Sequence, residues 1–229
     1  MAIPSDSWQK AIETVQQRFE RAYRNELPPL PPEAQALALY DAWHRGTLVS
    51  PFWEIAKFAK KQRCLDIGCG PSFLVYPCWR EWDLIFYGRD ASPSLCQMMN
   101  ARGSQLNSKL YKGTEWGAAH HLPYEPMFDR VIATGVSCYF PLPYWEAVVV
   151  AVRKVLKPDG ALVFDAIDPN RAAAEDWAIL ETYAGAEGFL TPLAEFRTLI
   201  QDLGGKIQAE RPGNPFVLYR VVFSTAKGE

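Results

Sequence analysis

Apolar residues change their period once along this chain, and that change divides it. Over residues 6–24, Trp8, Ile12, Val15, Phe19 and Tyr23 fall four, three, four and four residues apart, a single stripe on an amphipathic helix, with Asp6 or Ser7 available as its cap. The stripe predicts packing on a main domain; the alternative is a lid over a substrate pocket. Leu27-Pro28-Pro29-Leu30-Pro31-Pro32 follows, and four prolines in six residues predict a stiff, extended connector. Helical spacing returns over 33–45, with Ala36, Leu37, Leu39, Tyr40 and Trp43, and over 51–61, with Phe52, Ile55 and Phe58.

From residue 63 short apolar runs alternate with helical stretches, which predicts an α/β domain with a parallel sheet. Strands are expected near 63–67, 84–88, 109–112, 128–134 and 161–166. Helices are expected from Pro71, from Ser92-Pro93 to about Arg102, and over 143–156, 171–187 and 192–203. Lys157-Pro158-Asp159-Gly160 reads as a turn. Two final runs, 206–210 and 216–224, flank Arg211-Pro212-Gly213-Asn214-Pro215 and predict an antiparallel hairpin.

Composition narrows the class. A hydrophobic content of 48% over 229 residues supports a substantial core, and a formal net charge of −2 gives no electrostatic reason to expect nucleic acid or a membrane surface. Five scattered cysteines, odd in number and without a Cys-x-x-Cys pair, fit reduced thiols in a cytoplasmic setting and no structural zinc or other metal site. The opening residues do not read as a signal peptide, and no window approaches the roughly 18 apolar residues of a membrane span.

The chemistry centres on Cys64-Leu65-Asp66-Ile67-Gly68-Cys69-Gly70-Pro71-Ser72, a buried strand, a glycine turn and a helix start. Gly68 and Gly70 lack a Cβ and so admit a ligand close to the backbone; Asp66 lies at the carboxyl end of the strand, where open α/β sheets bind ligands. Asp90, 20 residues after Gly70 and at the end of the next strand, is placed to accept hydrogen bonds from ribose hydroxyls. Two cofactors remain open, a nicotinamide dinucleotide and S-adenosylmethionine. Phe73 stands where a dinucleotide loop carries its third glycine.

With these motifs the chain resembles the class I S-adenosylmethionine-dependent methyltransferases, and within them the small-molecule branch that includes the ubiquinone and menaquinone C-methyltransferases. Leu65-Asp66-Ile67-Gly68-Cys69-Gly70 matches the first motif and Tyr87-Gly88-Arg89-Asp90-Ala91-Ser92-Pro93 the second. His121-Leu122-Pro123-Tyr124 with Met127 to Ala133 matches the middle block, and Val152 to Gly160 the helix-turn before strand five. The resemblance covers roughly 60–168. It implies a Rossmann-like, seven-stranded, mostly parallel sheet with a reversed last strand. It also implies that Asp66, Gly68 and Gly70 face the methionine half of S-adenosylmethionine, that Asp90 binds the ribose, and that Ala91 lies against the adenine. The carbonyl at Ala133 or Thr134 would approach the methionine amino group. One departure stands out: Ala118 occupies the place of the acid that usually contacts the adenine amino group. That leaves the backbone of Gly117, Ala118 and Ala119, or the side chains of Glu115 or Trp116, to take its part.

Methyl transfer is an in-line displacement, in which alignment alone can supply roughly 7–11 kcal/mol, and a base is needed only where the acceptor must lose a proton. His44, in the helical preface, is the candidate base, and Tyr139, after the fourth strand, the second catalytic candidate. His120 and His121 adjoin the adenine loop, where a structural role is expected. Phe140, Tyr144 and Trp145 suit either packing or the wall of a site for a flat or apolar acceptor, and Asp165 and Asp168 are further candidates for contact with substrate. The expected organisation is a helical cap over 1–60 and a cofactor-binding domain over 61–229, with a lid-like insertion at about 168–190. The expected function is cytoplasmic methyl transfer to an O, N or C nucleophile of a small molecule. The alternatives are a non-catalytic S-adenosylmethionine-binding partner protein and a nicotinamide-dependent oxidoreductase.

Overall fold

A computed structural model describes residues 6–223. Seven strands form one sheet: β1 (Arg63–Ile67), β2 (Ile85–Asp90), β3 (Tyr111–Trp116), β4 (Phe128–Ala133), β5 (Leu156–Ile167), β6 (Gly205–Arg211) and β7 (Phe216–Phe223). Their spatial order is β3-β2-β1-β4-β5-β7-β6. The first five are mutually parallel, and β7 runs antiparallel to both β5 and β6, so the expected reversed last strand and hairpin are present. The chain turns back between β1 and β4, and the crevice at that switch, outside the carboxyl ends of the strands, is where such sheets bind ligands. The middle strands are covered on both faces, and their residues are accordingly buried almost without a break along most of their length.

Helix α1 (Asp6–Tyr23) matches the expected amphipathic stretch; the cap proposed for Asp6 or Ser7 rests on side chains outside those described. Its Ile12 is buried in the main core with Leu65, Phe128, Tyr144 and Trp145, so the stripe packs against the sheet domain. The proline segment is free of helix until α2 (Pro32–Gln35), and Leu30 is buried beside Ala34 and Leu180.

Three helical expectations are shortened. The stretch 33–45 divides into α2 and α3 (Tyr40–His44), and between them the Leu39 amide donates to the Asp176 carboxylate at 3.3 Å instead of continuing a helical ladder. The stretch 51–61 supplies only α4 (Trp53–Ala56). Arg130 donates to the carbonyls of Ala56 at 2.7 Å and Lys57 at 3.1 Å, and Lys57 turns left-handed at φ 50°, which ends the helix. The helix expected from Pro71 breaks into α5 (Ser72–Val75) and α6 (Cys78–Glu81), because Tyr76 precedes a proline and is held extended. Conversely, α7 (Pro93–Asn107) outruns its expected end. Ser92 caps it, its hydroxyl oxygen accepting from the Leu95 amide at 3.1 Å.

The remaining helices, α8 (Leu142–Val155), α9 (Ala172–Ala184) and α10 (Leu193–Asp202), lie where they were expected. The Lys157–Gly160 turn survives as an excursion within β5: Leu156 pairs with Phe128 and Ala161 with Arg130, five steps on one strand against two on the other. Ser224, the expected end of the last strand, lies outside the described residues.

Candidate active site

The glycine loop owes its shape to backbone conformations that favour glycine. Gly68 has φ +63° and Gly70 φ +47°, and a Cβ at Gly68 would lie 2.7 Å from the Val136 side chain. The loop is tied to β2: the Gly68 amide donates to the Arg89 carbonyl at 2.8 Å and the Gly70 amide to Asp90 Oδ2 at 3.0 Å. The Ser92 amide donates to Asp90 Oδ1 at 2.9 Å. Each carboxylate oxygen therefore has one backbone partner and a further lone pair to offer. Burial raises the Asp90 pKa, against the opposing pull of those amides.

Asp66 is buried and accepts the Ser72 hydroxyl at 2.5 Å; burial pushes its pKa up to about 7. It braces the loop from beneath and does not line the cavity above it. Gly70 likewise shapes the loop, and the α1 residue Tyr23 sits over it, with its hydroxyl 2.7 Å from where a Gly70 Cβ would be.

A cavity of about 670 Å³ opens above the loop. At one end it is lined by Gly68, Asp90, Ala91, the Gly117–Ala119 backbone and Thr134, so the structure brings most of the expected cofactor residues together. Ala133 is fully buried behind Thr134, with no place in the lining. Glu115 and Trp116 do not line the cavity: Glu115 pairs with Arg89 at 3.4 Å, and the exposed Trp116 indole donates to the Ala91 carbonyl at 3.0 Å. The lining at that end instead includes Arg89, whose buried Nε has no partner among the described residues. Gly117, at φ +154°, is required there, since a Cβ would collide with the Arg89 guanidinium.

The other end is aromatic. Tyr139 packs edge-on against Phe19 at 5.3 Å and Trp177 at 5.4 Å, and Phe140 stacks on Tyr144 at 4.1 Å. Burial, with Glu181 nearby, drives the Tyr139 hydroxyl pKa well above its usual value, so it keeps its proton and stays available as a donor. His44 lines the rim, exposed and stacked on Tyr40 at 5.4 Å. His120 packs edge-on against Trp8 and Tyr144, and burial lowers its pKa; its setting is structural. Asp165 is buried outside the cavity lining. It accepts from Ser50 and, at 2.8 Å, from the Gly135 amide, and thereby fixes the loop after β4.

Several residues in this site were not anticipated. Glu20 accepts from Ser92 and Ser94 at 2.8 and 3.0 Å, joining α1 to the start of α7. Arg18 makes a two-pronged pair with Glu181 at 2.7 and 2.9 Å, and the Trp43 indole donates to the same carboxylate at 2.7 Å. In the sequence the only trace of this pair is a charge at a helical position next to apolar ones.

Residues 65–164 match a family model described as the methyltransferase domain. That stretch is similar to a methyltransferase domain. It is carried on the class I S-adenosylmethionine-dependent methyltransferase fold, as solved structures show. The geranyl diphosphate C-methyltransferase of Streptomyces coelicolor A3(2), determined with Mg²⁺, geranyl diphosphate and S-adenosylhomocysteine, superposes with a TM-score of 0.65 at 12% identity, covering 90% of this chain and 97% of its own. The magnesium protoporphyrin IX methyltransferase of Synechocystis PCC 6803, with bound S-adenosylhomocysteine, gives 0.65 at 16% identity, covering 93% of this chain and 100% of its own. A putative methyltransferase in complex with the Haloferax volcanii Trm112 methyltransferase activator gives 0.67 at 15% identity, covering 94% and 100%. No curated protein matches at the sequence level. Among the described residues no helix is long and apolar enough to cross a membrane.

Proposed function

We propose that this chain transfers a methyl group from S-adenosylmethionine to a small, flat or apolar acceptor in the cytoplasm. The observation that carries the reading is the continuity of one cavity, from the Gly68–Asp90 end to the aromatic end. The cradle suits the cofactor: a carboxylate with two spare lone pairs, a glycine at φ +63° that leaves the loop without a side chain, and an orphaned buried Arg89 Nε. When bound, S-adenosylmethionine supplies an electrophilic methyl on a sulfonium.

The chain's part is to bind, orient and exclude water. Asp90 would take the ribose hydroxyls, and Gly68 and Thr134 the methionine half, with Asp66, Gly70 and Ala133 setting the loops that present them. Ala91 and the Gly117–Ala119 backbone would flank the adenine. Arg89 has only donors, so it would serve a ring nitrogen of the adenine and not its amino group. Tyr139 would donate a hydrogen bond at the acceptor end, and His44 at the rim would be the base if the acceptor must lose a proton. The segment over 1–60 would act as a cap, and α9, within 168–190, as the opposite wall.

Two of the solved relatives are named for small-molecule acceptors, geranyl diphosphate and magnesium protoporphyrin IX, which supports a small-molecule acceptor here. Calorimetric titration with S-adenosylhomocysteine and, separately, NADH tests the cofactor. Binding of NADH without S-adenosylhomocysteine would sink the proposal. Tight S-adenosylhomocysteine binding with no turnover on an acceptor panel would favour a partner-protein role.

A further inference from the structure

The acceptor end of the cavity contains an arginine with two of its five hydrogen-bond donors in use. Arg18 is 7% exposed, yet it lines the cavity. Its Nε and Nη2 donate to the two oxygens of Glu181, which occupies one edge of the planar guanidinium. A guanidinium has five N–H donors; this arrangement uses two and leaves the outer edge, both hydrogens of Nη1 and the second of Nη2. Among the described residues Nη1 has no hydrogen-bond partner, and it is not sealed in by protein atoms.

The guanidinium is also held in place. Glu181 is 2% exposed and is fixed by the Trp43 indole as well as by Arg18. The Arg18 guanidinium carbon lies 4.6 Å from the Phe19 ring centre and 5.7 Å from that of Trp43. A cation oriented in this way, with a free bidentate edge and aromatic neighbours, matches a planar oxyanion attached to a ring.

We propose that Arg18 anchors the methyl acceptor and that the acceptor is a compact aromatic carboxylic acid. This rests on the cavity being the acceptor site of a methyltransferase. In that arrangement Glu181 is a positioning residue: it turns the free edge of Arg18 toward the cavity, and its own charge weakens the hold on the acid. The pair also joins α1 to α9, and a purely structural latch would share the contacts but not the charge preference.

The experiment titrates protein saturated with S-adenosylhomocysteine with three acids, benzoate, 1-naphthoate and indole-3-carboxylate, and with their three carboxamides. At least one acid is expected to bind tenfold or more tightly than its amide. Arg18→Met/Glu181→Met removes the pair while filling its volume, a change that buried pairs often tolerate without loss of stability. In that variant the preference for the acid is expected to fall to within twofold. Glu181→Gln keeps the cation and removes the repulsion, so the preference is expected to rise. Equal binding of acids and amides, no binding of any acid, or a preference retained in the double variant overturns the proposal. S-adenosylhomocysteine affinity is measured first. If it is absent the methyltransferase reading fails, and the acid-to-amide ratio on the free protein still decides the anchor.

Discussion

Replacing Asp90 with alanine separates cofactor recognition from loop architecture. Its carboxylate accepts the amides of Gly70 at 3.0 Å and Ser92 at 2.9 Å, with one lone pair per oxygen left to face the cavity. A hydrogen bond to a charged group is worth about 1.5–3 kcal/mol. Water fills part of the gap in the variant, so a net loss of about 1.5–3 kcal/mol in S-adenosylhomocysteine affinity is expected, roughly 10- to 150-fold in Kd. The structural cost is separate. The Ser92 amide borders the cavity and can be hydrated, whereas the Gly70 amide lies buried behind the lining, so a destabilisation of about 1–3 kcal/mol is expected, the range for an unsatisfied donor. Isothermal titration of a variant that melts cooperatively gives the first quantity. The stabilisation by ligand gives an independent check, since it varies as the logarithm of ligand concentration over Kd. A folded Asp90→Ala protein that binds S-adenosylhomocysteine within twofold of the parent would refute the assignment of Asp90 to the ribose.

Other perturbations probe the support of the site. Gly68→Ala forces a Cβ to 2.7 Å from Val136 at φ +63°, and about 1–3 kcal/mol of stability should go with it, seen as a lower midpoint in denaturant. Asp66 has a folded pKa of about 7, above the ordinary carboxylate range, so between about pH 4 and 7 the folded state holds the proton more tightly than the unfolded chain. Stability should therefore fall as pH rises through that window. Asp66→Asn should flatten the fall, leaving the smaller slopes from Asp165, which burial raises to about 6, and from Asp90, which burial also raises; parallel curves for parent and variant would contradict this. Arg130→Met strips the donors from the carbonyls of Ala56 and Lys57, and a loss of about 2–4 kcal/mol is expected by denaturant unfolding, with the Kd for S-adenosylhomocysteine changed less than threefold.

The sheet and the gathering of Gly68 and Asp90 at one end of the cavity were legible because both rest on local sequence rules. Val131, Ile132, Leu162 and Val163 belong to short apolar runs rich in β-branched residues, which favour buried strands, and Gly68 and Asp90 stand at fixed offsets from strand ends. The preface was less legible, since its short helices are decided by distant acceptors and donors. Asp176 captures the Leu39 amide and Arg130 captures the carbonyls that α4 would have used to extend. The aromatic end was least legible. Arg18 and Glu181 lie 163 residues apart and meet only after α1 and α9 have packed. Each nevertheless left a mark: Arg18 follows Val15 by three positions, and Glu181 follows Trp177 by four, a charged residue on a face that the helical period assigns to the core.

The position of β7 also bears on how the chain is made. It is wedged between β5 and β6 and pairs with β5 from Ala161–Val222 to Ile167–Phe216, yet it is the last described strand. As the polypeptide leaves the ribosome, β1 to β5 can assemble while the outer edge of β5 still exposes unpaired amides and carbonyls beside an apolar run. An edge of that kind invites pairing with another nascent chain. Completion of the sheet thus waits for the final hairpin, and truncation before Phe216 would leave a species prone to self-association, even though every residue lining the cradle beside Asp90 had already been synthesised.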